Sequence, residues 1–260
     1  MFSHIFFFLI FEKLIISRNH GSLILELKDN NFNDTIFGKL NRSKTANVIN
    51  FYAKNCSNYK LLRPLLNHLA EDAARWSTIL TIAQIDCIKD NEKPTCKQNR
   101  VTEIPALKYY PKNAQNADDA ENLPFNETRQ NYTELKTAVI VAIVQDYQAA
   151  LYSDWPDFRY LPGMNDTKGL ADYMFKMYPK HQAKEAMIIV EKDGQTLGAE
   201  IILNVSNQKN KILVRRALST NPLFKGETSF PSLYNFEFKI AALKKVETND
   251  IKNYVTEKYT

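Results

Sequence analysis

Cysteine is the residue type through which this sequence is best equipped to do chemistry, and the chain has three: Cys56, Cys87 and Cys96. Cys56 follows a buried apolar run and precedes a long helical pattern, which predicts a position at a helix N-terminus. The helix dipole there favours the thiolate, which is the nucleophile of thiol–disulfide exchange. Cys56 is therefore the candidate catalytic nucleophile, and the alternative is a free thiol left after loss of function.

Histidine offers a second possible chemistry, but the four histidines are scattered along the chain. Structural and catalytic metal sites use Cys, His and carboxylate ligands at short spacings, and no Cys/His cluster is evident. We therefore expect no metal site. His68 falls within the long helical pattern, and we expect it at the surface.

The elements predicted around Cys56 alternate between strand and helix. They are a strand over 23–27, a helix over 31–40, a strand over 48–53, a long helix that contains residues 61–69 and ends near 76, a strand over 79–86, a loop and short helix over 88–99, a strand over 106–110 and a closing helix over 131–148. This alternation predicts an α/β fold with a mixed sheet.

The second half of the chain repeats the alternation more weakly. Residues 150–163 carry Pro156, Pro162 and Gly163 without clear periodicity, which predicts a linker. The later elements are a helix over 168–178, a strand over 186–191, a helix over 198–203, strands over 212–217 and 232–238, and a helix over 247–259. A length of 260 residues also favours two domains.

Composition and charge are those of a globular protein, with 44% hydrophobic and 24% charged residues and a net charge of +5. The densest basic stretch, 211–216, has apolar residues between its basic ones. This alternation predicts a strand with one solvated face, because phosphate binding needs a broader basic field. We therefore expect no nucleic-acid partner.

The N-terminal segment and the glycosylation motifs indicate the secretory pathway. Residues 1–21 contain an apolar run interrupted by Glu12 and Lys13, which predicts a signal peptide; the alternatives are an uncleaved anchor and a misplaced start codon. We expect no other membrane contact. Asn-x-Ser/Thr motifs are acceptors for N-glycosylation, which takes place only in that pathway. They give glycosylation candidates at Asn33, Asn41, Asn126, Asn131 and Asn165, and further motifs at Asn55 and at Asn204, which we expect to be unused. The expected location is the endoplasmic reticulum or Golgi lumen, or the extracellular space.

The segment 51–59, Phe-Tyr-Ala-Lys-Asn-Cys-Ser-Asn-Tyr, resembles the active-site turn of the thioredoxin family, Phe-Tyr-Ala-x-Trp-Cys-Gly-His-Cys. With Cys87, Cys96 and Ile104-Pro105, the first half is similar to the first domain of quiescin sulfhydryl oxidases. The pieces at 191–194, 214–218 and 230–232 resemble that family's redox-inactive thioredoxin domain. The resemblance implies two tandem thioredoxin-like domains, over 22–149 and 164–260, each with a mixed central sheet flanked by helices.

The resemblance also implies roles for residues and partners. Cys87 and Cys96 have the nine-residue separation of the family's structural disulfide, with free buried thiols as the alternative, and Ile104-Pro105 falls at its cis-proline and substrate groove. The implied partners are cysteine-containing or unfolded secretory proteins. Full-length members continue into a flavin-binding helical domain, which uses FAD. That domain is not in this sequence, so we expect no cofactor here and interpret the chain as a fragment, a truncated gene product or a separate protein.

The active-site turn departs from the family pattern where function is most sensitive. Tyr59 stands where the second cysteine belongs, and Asn55, Ser57 and Asn58 replace Trp, Gly and His. A dithiol cycle needs a second sulfur to resolve the mixed disulfide. Three hypotheses follow: an impaired member or fragment of a sulfhydryl oxidase, a non-catalytic client-binding module, and a one-cysteine enzyme whose mixed disulfides are resolved by an external thiol.

Overall fold

The computed structural model describes residues 23–38, 45–88, 94–124, 131–179, 184–208 and 213–259. The predicted signal segment and two of the glycosylation candidates, Asn41 and Asn126, lie outside these residues. Within them, no helix is both long enough and apolar enough to cross a bilayer.

The first sheet has five strands in the order β1-β3-β2-β4-β5. Its strands are β1 (Leu25–Leu27), β2 (Ala46–Tyr52), β3 (Leu80–Asp86), β4 (Ala106–Tyr110) and β5 (Glu121–Asn122). β3 is parallel to β1 and β2, and β4 is antiparallel to β2. Every residue of the central strand β2 is buried, which explains its apolar character on both faces.

Helices cover both faces of this sheet. They are α1 (Asp29–Ile36), α2 (Ser57–Ala73), α3 (Pro94–Gln98) and α4 (Tyr132–Ala150). Alternate residues of β2 separate the two layers: Val48 packs with the leucines of α2 and the apolar face of α4, whereas Phe51 packs with Phe32 and Ile36 of α1. The mixed sheet between these layers fixes the end of β2, where α2 begins.

The second sheet has four strands in the order β7-β6-β8-β9. Its strands are β6 (Glu185–Glu191), β7 (Leu213–Leu218), β8 (Ser232–Glu237) and β9 (Ala242–Val246), and its helices are α5 (Thr167–Met177), α6 (Leu197–Asn204) and α7 (Ile251–Tyr259). β6 is parallel to β7 and antiparallel to β8. This is again a mixed sheet flanked by helices, as predicted. The sequence did not predict the short strands β5 and β9.

The two sheets share a continuous apolar layer. Buried residues of α2 and α4 belong to the same cluster as buried residues of α6 and α7. The Trp76 indole Nε1–H donates to Asn204 Oδ1 at 2.9 Å, and Lys136 of α4 pairs with Glu200 of α6 at 2.9 Å. The two halves of the chain therefore pack through side chains of both and are held in a fixed relation.

The segment predicted as a linker, 150–163, is irregular in backbone but packed. Trp155, Phe158 and Leu161 are buried, and the Leu161 N–H donates to the Arg216 carbonyl at 2.7 Å. Tyr160 forms an isolated parallel bridge with Arg216. The segment shows no hydrophobic periodicity because its backbone is irregular and its buried side chains are not regularly spaced. Solvent exposure of the whole segment is not the reason.

The prediction that the basic stretch gives a strand with a solvated face is wrong. Arg215 is 0% exposed and Arg216 is 4% exposed. Arg215 pairs with Asp157 at 2.8 Å, and Arg216 pairs with Glu191 at 2.7 Å. Each guanidinium is buried because a carboxylate is buried beside it, a compensation that the alternation of basic and apolar residues does not reveal.

Candidate thiol site

Cys56 is the N-cap residue of α2, at the point where the chain leaves β2 and turns into the helix. Its N–H donates to the Ala53 carbonyl at 3.0 Å, which closes the turn. The thiol is partly exposed and lies outside the disulfide. A partly exposed cysteine at a helix N-terminus is a candidate thiol for exchange with a partner molecule.

The loop before β4 brings Ile104 and Pro105 against this thiol. The Ile104–Pro105 peptide bond is cis, and Cys56 Sγ donates to the Ile104 carbonyl over 3.6 Å. Pro105 is buried, and Ile104 is partly exposed. Residues 48 positions apart in sequence therefore lie together at this turn.

Tyr59 fills the position of a resolving cysteine with a packed ring. The side chain is 6% exposed, its ring stacks on Tyr52 with centroids 4.3 Å apart, and its hydroxyl donates to Gln84 Oε1 at 3.4 Å. Gln84 in turn donates to Glu26. Burial is the main cause that raises the pKa of both Tyr59 and Tyr52. The second position of the site is therefore a neutral, buried phenol that has no redox chemistry with Cys56.

A polar cleft of about 970 Å³ opens beside this turn. Tyr52, Tyr59 and Gln84 line it together with charged residues of both signs: Glu26, Lys28, Asp29, Lys54, Lys60, Arg63 and Asp86. These charged groups can meet the polar backbone and mixed side chains of a polypeptide. The sequence analysis did not identify this cleft, because its residues come from four separate segments.

Cys87 and Cys96 are joined in a disulfide with an S–S distance of 2.04 Å and a Cα–Cα distance of 6.0 Å. The bridge ties the end of β3 to the short helix α3. The Cys87 N–H donates to the Tyr52 carbonyl at 2.7 Å, so the bridge adjoins the strand that ends at the thiol turn. Because both sulfurs are committed here, Cys56 has no intramolecular thiol partner.

The remaining candidate residues lie away from the thiol. Asn33, Asn131 and Asn165 are exposed, and Asn131 caps α4 by accepting from the Thr133 N–H at 3.0 Å. Asn204 is different, because its Nδ2 atom is buried and its Oδ1 atom accepts from Trp76. His68 is exposed and stacks on Tyr132. Among the described residues, no group of three or more His, Cys, Asp or Glu side chains could hold a metal ion.

Residues 23–134 match the Thioredoxin protein family. They cover the first sheet, the Cys56 turn, the cis-proline loop and the start of α4. The protein contains a thioredoxin domain. In this domain Cys56, Ile104 and Pro105 form the surface described above, and Tyr59 stands at the second sulfur position.

Proteins with related sequences include sulfhydryl oxidases. The chain is 26% identical to human sulfhydryl oxidase 1 and 25% identical to the Gallus gallus protein over 204 residues, or 77% of the chain. It spans about a quarter of the length of these relatives, 26% in each case. It is also 37% identical over 87 residues to Bos taurus protein disulfide-isomerase A5, which is 34% of this chain and 16% of that protein. The resemblance predicted from the sequence is confirmed.

A solved structure shows the same architecture over both halves. The crystal structure of ERdj5 form I aligns with a TM-score of 0.59 and 12% identity, covering 90% of this chain and 29% of that one. At this identity the likeness bears on the fold alone. With the two mixed sheets, it confirms the predicted α/β fold of two thioredoxin-like units in tandem.

Proposed function

We propose that this protein acts in oxidative protein folding as a one-cysteine thioredoxin module of the sulfhydryl oxidase lineage, which captures cysteine-containing polypeptides as mixed disulfides. The observation that carries the proposal is the partly exposed Cys56 thiol beside Ile104 and the cis-proline, with a buried Tyr59 in place of a resolving sulfur. The site is built to form one disulfide with a partner and lacks the group that would break it.

The capture step is an ordinary thiol–disulfide exchange. The Cys56 thiolate attacks one sulfur of a client disulfide, the client S–S bond breaks, and a Cys56–client S–S bond forms. The other client sulfur leaves as a thiolate and takes up a proton from solvent. In a dithiol site the second cysteine would then attack Cys56 Sγ, and Tyr59 cannot.

Release of the client therefore needs a thiol from outside the chain, which is either the sulfur that the client has just freed or a separate thiol. The thiolate of a small-molecule or protein thiol attacks the client sulfur, and Cys56 leaves as a thiolate. The slow step is then set by the external thiol rather than by this chain, which favours a long-lived complex with the client.

The surface around Cys56 supports an extended client. Ile104 is partly exposed and its carbonyl accepts from the sulfur, and the polar cleft adjoins the same turn with groups of both charges. A client cysteine flanked by mixed residues can place its sulfur at Cys56 and neighbouring polar groups in the cleft.

The disulfide and the glycosylation motifs support a location in the secretory pathway. A structural disulfide such as Cys87–Cys96 persists in oxidising compartments, and Asn33 and Asn165 are exposed acceptors for glycans. We propose the endoplasmic reticulum or Golgi lumen, or the extracellular space, and secretory proteins that contain cysteines as the partners.

The second candidate function is client binding without covalent chemistry. It is favoured by the polar cleft, which adjoins the thiol but does not include Cys56 among its lining residues. In that case the cleft would supply the affinity and Cys56 would be dispensable.

The experiment that separates the two functions is client capture in the absence of reductant. A model client with mispaired disulfides is incubated with the protein, and adducts are separated on non-reducing gels. We expect Cys56→Ser to abolish the covalent adduct, Ile104→Ala to reduce it, and the control Ser57→Ala to leave it unchanged. Undiminished client binding by Cys56→Ser in a pull-down would instead favour the non-covalent function.

A further inference from the structure

The three residues Asn55, Cys56 and Ser57 form an acceptor motif for N-glycosylation that contains the proposed nucleophile itself. The middle residue of such a motif can be any residue except proline, so the cysteine does not disqualify it. The structure of the turn that carries the motif decides whether the folded chain has room for a glycan there.

This turn displays the acceptor asparagine to solvent. Asn55 lies between β2 and α2 and is exposed. Over the described parts of the chain, its side chain makes no hydrogen bond. Ser57, the third residue of the motif, is the first residue of α2 and is also exposed. A glycan on the Asn55 amide nitrogen would therefore extend into solvent without displacing a packed group.

Most of the other acceptor asparagines with a described structure are in different surroundings. Asn33 lies within α1, and Asn131 caps α4 with its side-chain oxygen. Asn204, which we expect to be unused, has a buried amide nitrogen. Asn165 is exposed in a bend ahead of α5, and it matches Asn55 in accessibility. Asn165 therefore serves as a comparison site in the second unit.

A glycan on Asn55 would adjoin both the thiol and the polar cleft. The Cα atoms of Asn55 and Cys56 are neighbours in the chain, about 3.8 Å apart. Asn55 is also one of the residues that line the polar cleft. Because N-linked glycans are bulky, a polypeptide client would have to share this space with the glycan. A small thiol or disulfide needs much less room to reach the sulfur.

We propose that Asn55 is an N-glycosylation site, and that its glycan screens Cys56 from polypeptide clients while small thiols still reach the sulfur. The proposal rests on the secretory location and the mixed-disulfide function proposed above. Glycosylation then divides the protein into two forms. The chains without a glycan on Asn55 are the ones that capture polypeptide clients.

The transfer step uses a lipid-diphosphate-linked oligosaccharide and the glycosyl transferase of the secretory pathway. Asn55 Nδ2 forms a bond to C1 of the first sugar, and the bond between C1 and the diphosphate oxygen breaks. The lipid diphosphate leaves with the electron pair of that bond, and one proton of the amide passes to a base. Cys56 takes no part in this step.

The test compares the full chain from two sources. One is the cytosol of bacteria, where no N-glycan is attached, and the other is the secretory pathway of cultured animal cells, entered behind an added leader. After enzymatic removal of N-glycans, peptide mass spectrometry of the second protein should find an aspartate in place of Asn55. This measurement does not depend on the reactivity of the thiol.

Alkylation of the non-reduced protein reports on access to Cys56, because Cys87 and Cys96 are joined in a disulfide. We expect N-ethylmaleimide to label Cys56 in both proteins. A maleimide linked to a long polymer should label the bacterial protein and fail to label chains that carry the Asn55 glycan. Covalent capture of the model client should be lost from the same chains.

Two changes at Ser57 form a matched pair, since both leave Asn55 and Cys56 in place. In protein from animal cells, Ser57→Ala removes the acceptor motif and should restore polymer labelling and client capture, whereas Ser57→Thr keeps the motif and should not. In bacterial protein neither change should have an effect, which is the condition under which Ser57→Ala serves as the control for capture. Asn165→Gln removes the comparison site and should leave Cys56 as screened as before.

An Asn55 without a glycan in protein from animal cells would overturn the proposal, and so would equal polymer labelling of the glycosylated and bacterial proteins. Neither result bears on the mixed-disulfide function, which bacterial protein tests. If the bacterial protein captured no client, that function would fail, and the alkylation experiment would still decide whether the glycan screens the thiol.

Discussion

Tyr59 and Cys56 decide the chemistry at the scale of single residues. Cys56 sits at the start of a 17-residue helix with its sulfur partly exposed, and Tyr59 lies three positions later with its ring buried against Tyr52. The turn retains the backbone of a thiol site and lacks its second sulfur. Changing one side chain should therefore change the type of reaction.

We predict that Tyr59→Cys restores dithiol exchange. The new thiol would stand where it can attack a mixed disulfide at Cys56, so reduction of insulin disulfides should rise about tenfold or more over the unmodified chain. Tyr59→Ser is the control, because it removes the same ring without adding a sulfur. Equal rates for Tyr59→Cys and Tyr59→Ser would show that the turn is no longer shaped for exchange.

At the scale of secondary-structure elements, the buried ion pairs of β7 hold neighbouring elements together. Arg216 pairs with Glu191 at the end of β6, and Glu191 also accepts from the Gly198 N–H at 2.9 Å at the start of α6. One carboxylate thus fixes two strands and a helix. Gly198 is required for space, since a Cβ there would come within 2.8 Å of Arg216 Cγ and 3.0 Å of Glu191 Oε1.

Gly198→Ala should therefore destabilise the fold by about 1–3 kcal/mol, because the added methyl displaces part of this buried pair. Urea unfolding measures the change. Gly163→Ala is the matched control, since a Cβ there meets Pro222 at an ordinary 3.6 Å. If Gly198→Ala were as stable as the unmodified chain, the Arg216–Glu191 pair would tolerate displacement and Gly198 would not be required for space.

Glu227 links the loop before β8 to β8 and β9, where it accepts from the Tyr234 hydroxyl at 2.7 Å and pairs with Lys245 at 2.9 Å. The hydrogen bond from Tyr234, followed by that from Lys245, lowers the pKa of Glu227 from 4.5 to about 2. A lowered pKa means that the carboxylate stabilises the fold fully above pH 4.5 and loses this effect as the pH falls towards 2.

We therefore expect Glu227→Gln to lower the melting temperature at pH 6, with a difference from the unmodified chain that shrinks between pH 4.5 and pH 2. Thermal unfolding at a series of pH values measures it. Glu247→Gln removes a carboxylate that is 85% exposed and 3.9 Å from Lys245, and should change little. A difference that stays constant down to pH 2 would show that Glu227 does not titrate as described.

The sequence predicts elements well where one pattern governs a long segment. The leucines of α2, the apolar β2 and the turn at Cys56 each follow from local periodicity and spacing. The buried arginines, the packed segment 151–161 and the polar cleft depend on residues distant in sequence. The one sequence signal of a buried ion pair was the occurrence of two adjacent arginines in the apolar strand β7, together with Glu191 at the end of the apolar strand β6.

The whole molecule behaves as one packed body over the described residues. The apolar layer shared by the two sheets is continuous, and the Trp76–Asn204 hydrogen bond and the Lys136–Glu200 pair cross it. The second unit, which contains no cysteine, therefore supports the thioredoxin domain mechanically and cannot move freely against it.

Calorimetry should accordingly record one unfolding transition rather than two. Trp76→Phe removes the indole N–H and leaves the Asn204 carbonyl oxygen without this donor. It should therefore lower the free energy of unfolding by about 1–3 kcal/mol, and lower the midpoint temperature accordingly, while keeping a single transition. Two separated transitions in the unmodified chain would show that the shared layer does not couple the halves.

At the scale of the whole molecule, the reaction that we propose at Cys56 is capture of a client without resolution of the mixed disulfide. Intact-mass spectrometry tests it directly, with a peptide whose single cysteine carries a thiopyridyl disulfide, because the thiopyridyl leaving group departs from the peptide and does not attack the new bond. We expect one peptide added per chain, at Cys56, that stays attached until a small thiol is supplied. Release of the peptide without added thiol, or a Cys56 that takes up no peptide, would contradict it.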